Sequence, residues 1–215
     1  MKKLFTAIRK KDNKTIREII RTNPELVNCT AKQPPKKDDG QSPLQVAIKT
    51  QNFEIADFLI DSGADVNFIE SDDSLDDWRM PVLNMAVLCA VLLCRHETRL
   101  ELEDRIMITE HSSKEEADAS YYILKKLLES GADVNKTESR GTTCAERFCI
   151  SAQDILPHYS WDTHTVSYKG TVITDGLAND LKRISSLLKE YNADFNTDRI
   201  NAYRETGNHP LIEFI

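Results

Sequence analysis

The sequence predicts an all-α fold, a solenoid of about four full helical repeats and a terminal half-repeat. Three observations predict it. A five-residue motif recurs: Gly63-Ala64-Asp65-Val66-Asn67 returns as Gly131-Ala132-Asp133-Val134-Asn135 and, weakened, as Asn192-Ala193-Asp194-Phe195-Asn196. An amphipathic helical run precedes each copy, at 55–60, 123–128 and 184–189. A capped helix start, Gly40-Gln41-Ser42-Pro43-Leu44-Gln45-Val46-Ala47, stands ahead of the first copy. One helix pair cannot bury its apolar face alone, whereas stacked pairs share a continuous core.

The opening pair has Leu4 and Ala7 on its first helix and Ile16, Ile19 and Ile20 on its second, with Pro24-Glu25-Leu26-Val27-Asn28 as an altered terminus. In the second unit Ser42 can cap a helix and Pro43 suits its first turn, where no N–H partner is needed. Leu44 and Ala47 then share one side. Gly63 stops the second helix because glycine accepts the left-handed conformation cheaply, and Asn192 is the next best residue for that job. The third unit begins at Pro81, Val82, Leu83 and Ala86. Its helix, Val82–Cys94, is apolar on nearly every side and so is expected to be buried all round. Gly141, Thr143, Cys144, Ala145 and Phe148 open the fourth unit. Gly207-Asn208-His209-Pro210-Leu211 restarts the pattern as the opening helix of a fifth.

The motif copies lie 68 and 61 residues apart, where a regular array would show about 33. Two insertions, at about 95–119 and 149–180, account for the excess; a degraded repeat hidden in each gap is the alternative. The first insertion is expected to cover the apolar helix, and Leu100, Leu102, Ile106 and Ile108 alternate within it as in a strand. The second reads as a β-hairpin, with Thr163–Tyr168 and Thr171–Thr174 flanking a Lys169-Gly170 turn.

These residues resemble the ankyrin repeat, whose pattern runs roughly D-x-x-G-x-T-P-L-H-x-A-A, a helix, then G-A-D-V-N. The best copy spans 38–69, with Ser42 for Thr and Gln45 for His. The resemblance implies repeats at about 1–37, 38–70, 78–136 and 139–197, a partial one at 205–215, and a single domain over 1–215.

Composition excludes several classes. With 40 % apolar and 29 % charged residues among 215, the chain can build a core. The run after Met1 ends at Ile8 before Arg9-Lys10-Lys11, too short for a signal peptide. The longest apolar stretch, 80–94, falls short of the ~20 residues of a membrane span. Five cysteines, an odd number, read as reduced thiols, so a cytoplasmic protein is expected. Net charge is −7 and uneven. Residues 1–37 hold eleven Lys/Arg against three Asp/Glu, and the remainder seventeen against thirty-two. An acidic body argues against nucleic acid; the basic end is a solvated face or a steering device.

Chemistry is sparse. Cys89/Cys94 and Cys144/Cys149 lie five residues apart, ~140° around a helix, which suits no shared ligand. His158 and His164 lack the further ligands of a zinc site. There is no phosphate loop, dinucleotide fingerprint or nucleophile elbow. No cofactor, no metal and no enzyme activity are expected.

The resemblance implies partner binding through turn tips and first-helix surfaces on the concave side. Carried onto the best repeat, these are Asp38, Asp39, Gln41, Lys49, Thr50 and Ile69. The long next finger adds Asp72, Asp73, Asp76, Asp77, Trp78 and Arg79, and the one after it Arg140. Tyr159, Trp161 and Tyr168 make the second insertion a rival site, although each Trp could instead anchor its own loop. The expected function is a non-enzymatic protein-interaction module. A dedicated inhibitor or immunity protein, plugging a basic enzyme or toxin with the acidic finger, is the alternative, and an enzyme in the second insertion the third reading. A monomer is expected, with the apolar end Leu211, Ile212, Phe214 and Ile215 lying on the fourth repeat as a half-cap; if that end were exposed it would form a homodimer.

Overall fold

The computed structural model describes residues 1–32, 35, 38–70, 78–168 and 170–215. Its helices come in pairs. α1 (Lys2–Arg9) precedes α2 (Asn13–Thr22), and α3 (Pro43–Lys49) precedes α4 (Phe53–Asp61). α5 (Val82–Leu92) reaches α6 (Lys114–Glu129) across the first insertion, and α7 (Cys144–Ala152) reaches α8 (Asp175–Glu190) across the second. The first helices form one layer, α1 against α3, α3 against α5 and α5 against α7. The second helices form another, α2 to α4 to α6 to α8. One apolar core runs between the layers from Leu4 to Phe214.

Local chemistry sets the boundaries. Ser42 caps α3 in a reciprocal box with Gln45, and Ser113/Glu116 and Thr143/Glu146 do the same for α6 and α7. Gly63, Gly131 and Asn192 adopt φ of +86°, +88° and +63°, which turns the chain out of α4, α6 and α8. The following amide then bonds back into the helix in each case: Ala64 to Leu59, Ala132 to Leu127 and Ala193 to Leu188, at 2.9–3.0 Å.

The rest of the recurring motif also has a physical reason. Asp65, Asp133 and Asp194 each accept the amide of the Asn two residues on, at 2.8 Å. The Asn side chain then reaches the next unit. Asn28 donates to the Gly63 carbonyl and accepts from the Asp65 amide. Asn67 does the same with Gly131 and Asp133, at 3.0 and 2.7 Å. The motif is therefore both a helix stop and a hydrogen-bonded rung between neighbouring units.

The chain is not purely helical. β1 (His96–Glu101) and β2 (Ile106–His111) form an antiparallel hairpin in the first insertion, six residue pairs in register from His96↔His111 to Glu101↔Ile106. The second insertion departs from its expected hairpin. β4 (Thr165–Ser167) pairs with β3 (His158–Ser160), whereas β5 (Thr171–Val172) pairs with β1 and completes a sheet of order β2-β1-β5. The expected Lys169-Gly170 turn therefore joins no hairpin; Gly170 instead accepts the Arg99 amide at 2.9 Å, and Lys169 lies outside the described residues. Asp180, buried on α8, explains the choice. It takes the Arg95 amide and guanidinium at 2.8–3.0 Å, which holds the start of β1 beside the segment leading into α8.

Two more expectations change. The hairpin does not cover α5: α3, α6, α7 and α8 pack on that helix, and the hairpin tip is exposed. At the end of the chain no α-helix opens over 207–215. α9 (Asp198–Glu205) comes before it, and Pro210–Phe214 is a 3-10 turn packed on α8 and α9. Pro210, Leu211 and Phe214 are buried within the chain, while Ile212 and Ile215 are half-buried.

Candidate functional site

α5 carries more apolar residues than its neighbours can cover. Val82, Leu83, Ala86, Val87 and Val91 go into the core. Leu88 and Cys89 are only half-buried and Leu92 is 40 % exposed. This uncovered stripe, on the side facing α3, floors a groove of about 410 Å³. Lys49 and Gln51 at the end of α3 form one wall, and Met80 and Trp78 of the finger before α5 form the other. Gln51 reaches it because its φ of +55° breaks the chain out of α3. The expectation that α5 is buried all round is corrected: an apolar helix can also present an apolar floor.

Beneath the groove, buried carboxylates fasten the turns. Asp38, 1 % exposed, pairs with Arg9 at 2.6 Å and Lys49 at 2.7 Å. Burial alone would raise its pKa, but hydrogen bonds from Lys49 and Arg9 and their charges outweigh it and hold the carboxyl below its ordinary value. Glu70, also buried, accepts the Gln41 amide group at 3.2 Å and the Met80 backbone amide at 3.0 Å. Glu138 takes the Arg147 guanidinium in a two-pronged pair, both arms 2.7 Å, and the Trp78 indole N–H at 2.7 Å. Asn84 donates to the same carboxylate at 3.3 Å, and Arg147 lies 5.1 Å above the Trp78 ring. Three turns thus each hold a buried carboxylate, Asp38 and Glu138 answered by cations and Glu70 by neutral N–H donors.

The repeat and finger residues expected to bind fall into four groups. Gln41, Lys49 and Trp78 line the groove. Asp39, Thr50, Ile69, Arg79 and Arg140 are accessible but line other parts of the surface; Arg140 borders a smaller cleft with Trp78, Thr142 and Arg199. Asp38 is corrected from surface to buried ion pair. Asp72, Asp73, Asp76 and Asp77 lie outside the described residues. Trp78 has both roles weighed for it: its N–H anchors the finger, and 41 % of it stays exposed at the groove. Sequence reasoning missed Met80, Met85, Leu88, Cys89 and Leu92. The signal was present as the continuous apolar run 80–94.

In the second insertion Tyr159 is corrected to a buried residue, while Trp161 and Tyr168 are 46 % and 65 % exposed. Tyr159, Trp161 and Tyr203 pack round His209, with ring centres 4.6–5.8 Å apart. This aromatic cluster fastens the insertion onto α9. Burial drives the His209 pKa down to about 4. The five cysteines are free, and burial raises the thiols of Cys89, Cys144 and Cys149 to about 12, far from a reactive thiolate. Among the described residues no group of three His, Cys, Asp or Glu can hold a metal ion, and no helix is long and apolar enough to cross a membrane.

The family model of the ankyrin repeat matches residues 39–71, the segment holding α3, α4 and the first copy of the recurring motif. The chain therefore contains an ankyrin repeat over these residues. No curated protein matches it. Ankyrin repeats generally mediate protein–protein interactions and are typically not enzymes.

Proposed function

We propose that this chain is a non-enzymatic, cytoplasmic protein-interaction module, and that the groove between α3 and α5 receives an apolar anchor of its partner. In this reading the pairs α1/α2, α3/α4, α5/α6 and α7/α8 are four ankyrin repeats of one solenoid, and α9 with the closing 3-10 turn is the terminal cap. The single observation that carries the binding site is the uncovered stripe Leu88, Cys89 and Leu92 on an otherwise buried helix. Leaving it open costs hydrophobic stabilisation of ~25 cal/mol per Å² that a partner would recover. Met80 and Met85 beside it are adaptable surfaces, and a half-exposed Trp at the rim is typical of binding hot spots. The exposed Lys49 and the half-buried Gln41 at the margin offer polar contacts to orient a partner. The inhibitor reading rested on the acidic finger, and no observation among the described residues favours it.

The test is affinity capture from source-cell lysate with three baits: the native chain, Leu92→Asp and Trp161→Ala. Leu92 is exposed enough for Asp to be tolerated in the fold. The proposal expects a protein recovered by the native and Trp161→Ala baits and lost with Leu92→Asp. Loss with Trp161→Ala alone would move the site to the second insertion. Equal recovery with all three would contradict both sites.

A further inference from the structure

The β1/β2 hairpin stands away from the helical stack and ends in a bare strand. β2 is the edge of its sheet, and no described element pairs with its outer side. Ile106 is 61 % exposed, Met107 46 % and Ile108 54 %.

The register fixes which backbone groups are free. The Arg99 amide points away from β2, to Gly170, so the alternate residues Thr98 and Leu100 direct their amides and carbonyls at β2. Their partners Thr109 and Met107 are thereby satisfied. Ile106, Ile108 and Glu110 turn their N–H and C=O groups outward, three donors and three acceptors in a row. Protein edges are ordinarily blunted by proline, lysine, a bulge or shortness. β2 has none of these: six residues, in unbroken register, without Pro or Lys. The strand is also held ready. His96 and His111 stack at its base, 4.5 Å between ring centres and 6° from parallel, and His111 Nε2 shares a 3.0 Å hydrogen bond with Thr98 Oγ1.

We propose that β2 is an augmentation edge that takes an extended, apolar and basic segment of a partner protein as a fourth strand of the sheet. Charge chooses the occupant. The segment 96–111 carries Glu97, Glu101, Glu103, Asp104 and Glu110 against Arg99 and Arg105. A second copy would set two acidic hairpins edge to edge, which like-charge repulsion disfavours. A basic strand meets no such repulsion. Run antiparallel, it places Lys or Arg opposite Glu110 and β-branched residues opposite Ile108 and Ile106, the cross-strand pairs that stabilise a sheet. The surface is separate from the α3/α5 groove and does not depend on it.

The test uses a fluorescent peptide, Lys-Lys-Thr-Val-Leu-Val-Lys, with two controls: the same peptide with Glu for every Lys, and one with Pro for the first Val. Fluorescence polarisation is read against the native chain, Ile108→Pro, Ile108→Lys and Leu92→Asp, each checked for native circular dichroism. Pro at 108 removes an outward N–H and leaves the β1 ladder intact; Lys keeps the N–H but adds a charge that repels the probe. The expected result is saturable binding of the Lys peptide. It weakens about tenfold or more with either control peptide and with either Ile108 variant, and is unchanged by Leu92→Asp. Binding that ignores the Ile108 substitutions, or no preference for the basic over the acidic peptide, overturns the proposal. A dimer in sedimentation equilibrium that Ile108→Pro dissolves overturns it too, by giving the edge to a second copy.

Discussion

Asn67 and its counterpart Asn28 show how much one side chain decides. Each joins its own unit to the next through a donor and an acceptor, at positions where the backbone has no other partner within its turn. Asn67→Ala leaves the Asp133 amide and Gly131 carbonyl without these bonds, at turn positions open to water. We expect a loss of about 1–2 kcal/mol in urea unfolding, and no change in stability would show that the rung is decorative. His209 makes a pH prediction. Its folded pKa, about 4, lies below the ordinary 6.5 because the ring is buried among Tyr159, Trp161 and Tyr203. The unfolded chain binds the proton first as pH falls. The His209 contribution is therefore intact above pH 6.5 and drains away between 6.5 and 4, to about 3 kcal/mol. His209→Asn can keep the Leu211 cap and should flatten this pH dependence relative to the native chain; equal slopes in melts from pH 7 to 4 would contradict the assignment. At this scale the sequence was legible where a residue's backbone demand is local. Gly63, Gly131 and Asn192 could be read because a positive φ restricts the choice of residue. Asp38 could not, since its burial depends on Arg9 and Lys49 arriving from elsewhere in the chain.

Among the elements, helices and strand-like segments were legible and strand pairing was not. The cap Ser42 and the 3.6-residue periodicity act within a few residues, so α3 begins where local chemistry places it, whereas α6 and α8 begin at 114 and 175, inside the stretches expected to be insertions. A strand acquires its meaning from its partner, and partner choice here is non-local. Thr171–Val172 looked like the second arm of a hairpin with 163–168, yet pairs with β1, some seventy residues earlier. Asp180 links the two insertions by taking Arg95 at its buried carboxylate. Asp180→Ala should cost about 2 kcal/mol through lost charge-assisted hydrogen bonds. It should also speed hydrogen exchange at the Arg99 amide while leaving α3 and α4 amides protected. Slow exchange at Arg99 in the variant would mean that the sheet needs no anchor on α8. The same non-locality hid the groove. Local periodicity describes α5 as apolar all round, but only the packing of α3, α6, α7 and α8 decides which part of that surface stays open.

The whole molecule joins two kinds of surface on one frame. The helical stack is a sum of neighbour contacts, so an uncovered stripe on one helix can persist without weakening units farther away. Insertions leave the stack at the joints between first and second helices, where an added loop disturbs neither layer, and their strands knit them back to the frame. The helix pairs were readable from the motif copies that follow them; the sheet that spans both insertions was not, because it is made by two segments with no similarity to the repeat. The central claim concerns the groove, and site-specific photocrosslinking in source cells tests it most directly. A photoreactive phenylalanine analogue is placed at Leu92, on the groove floor, and separately at the exposed Lys125 of α6. The account predicts one discrete protein adduct from position 92 and none from position 125. No adduct at 92, or the same adduct from both positions, would contradict it.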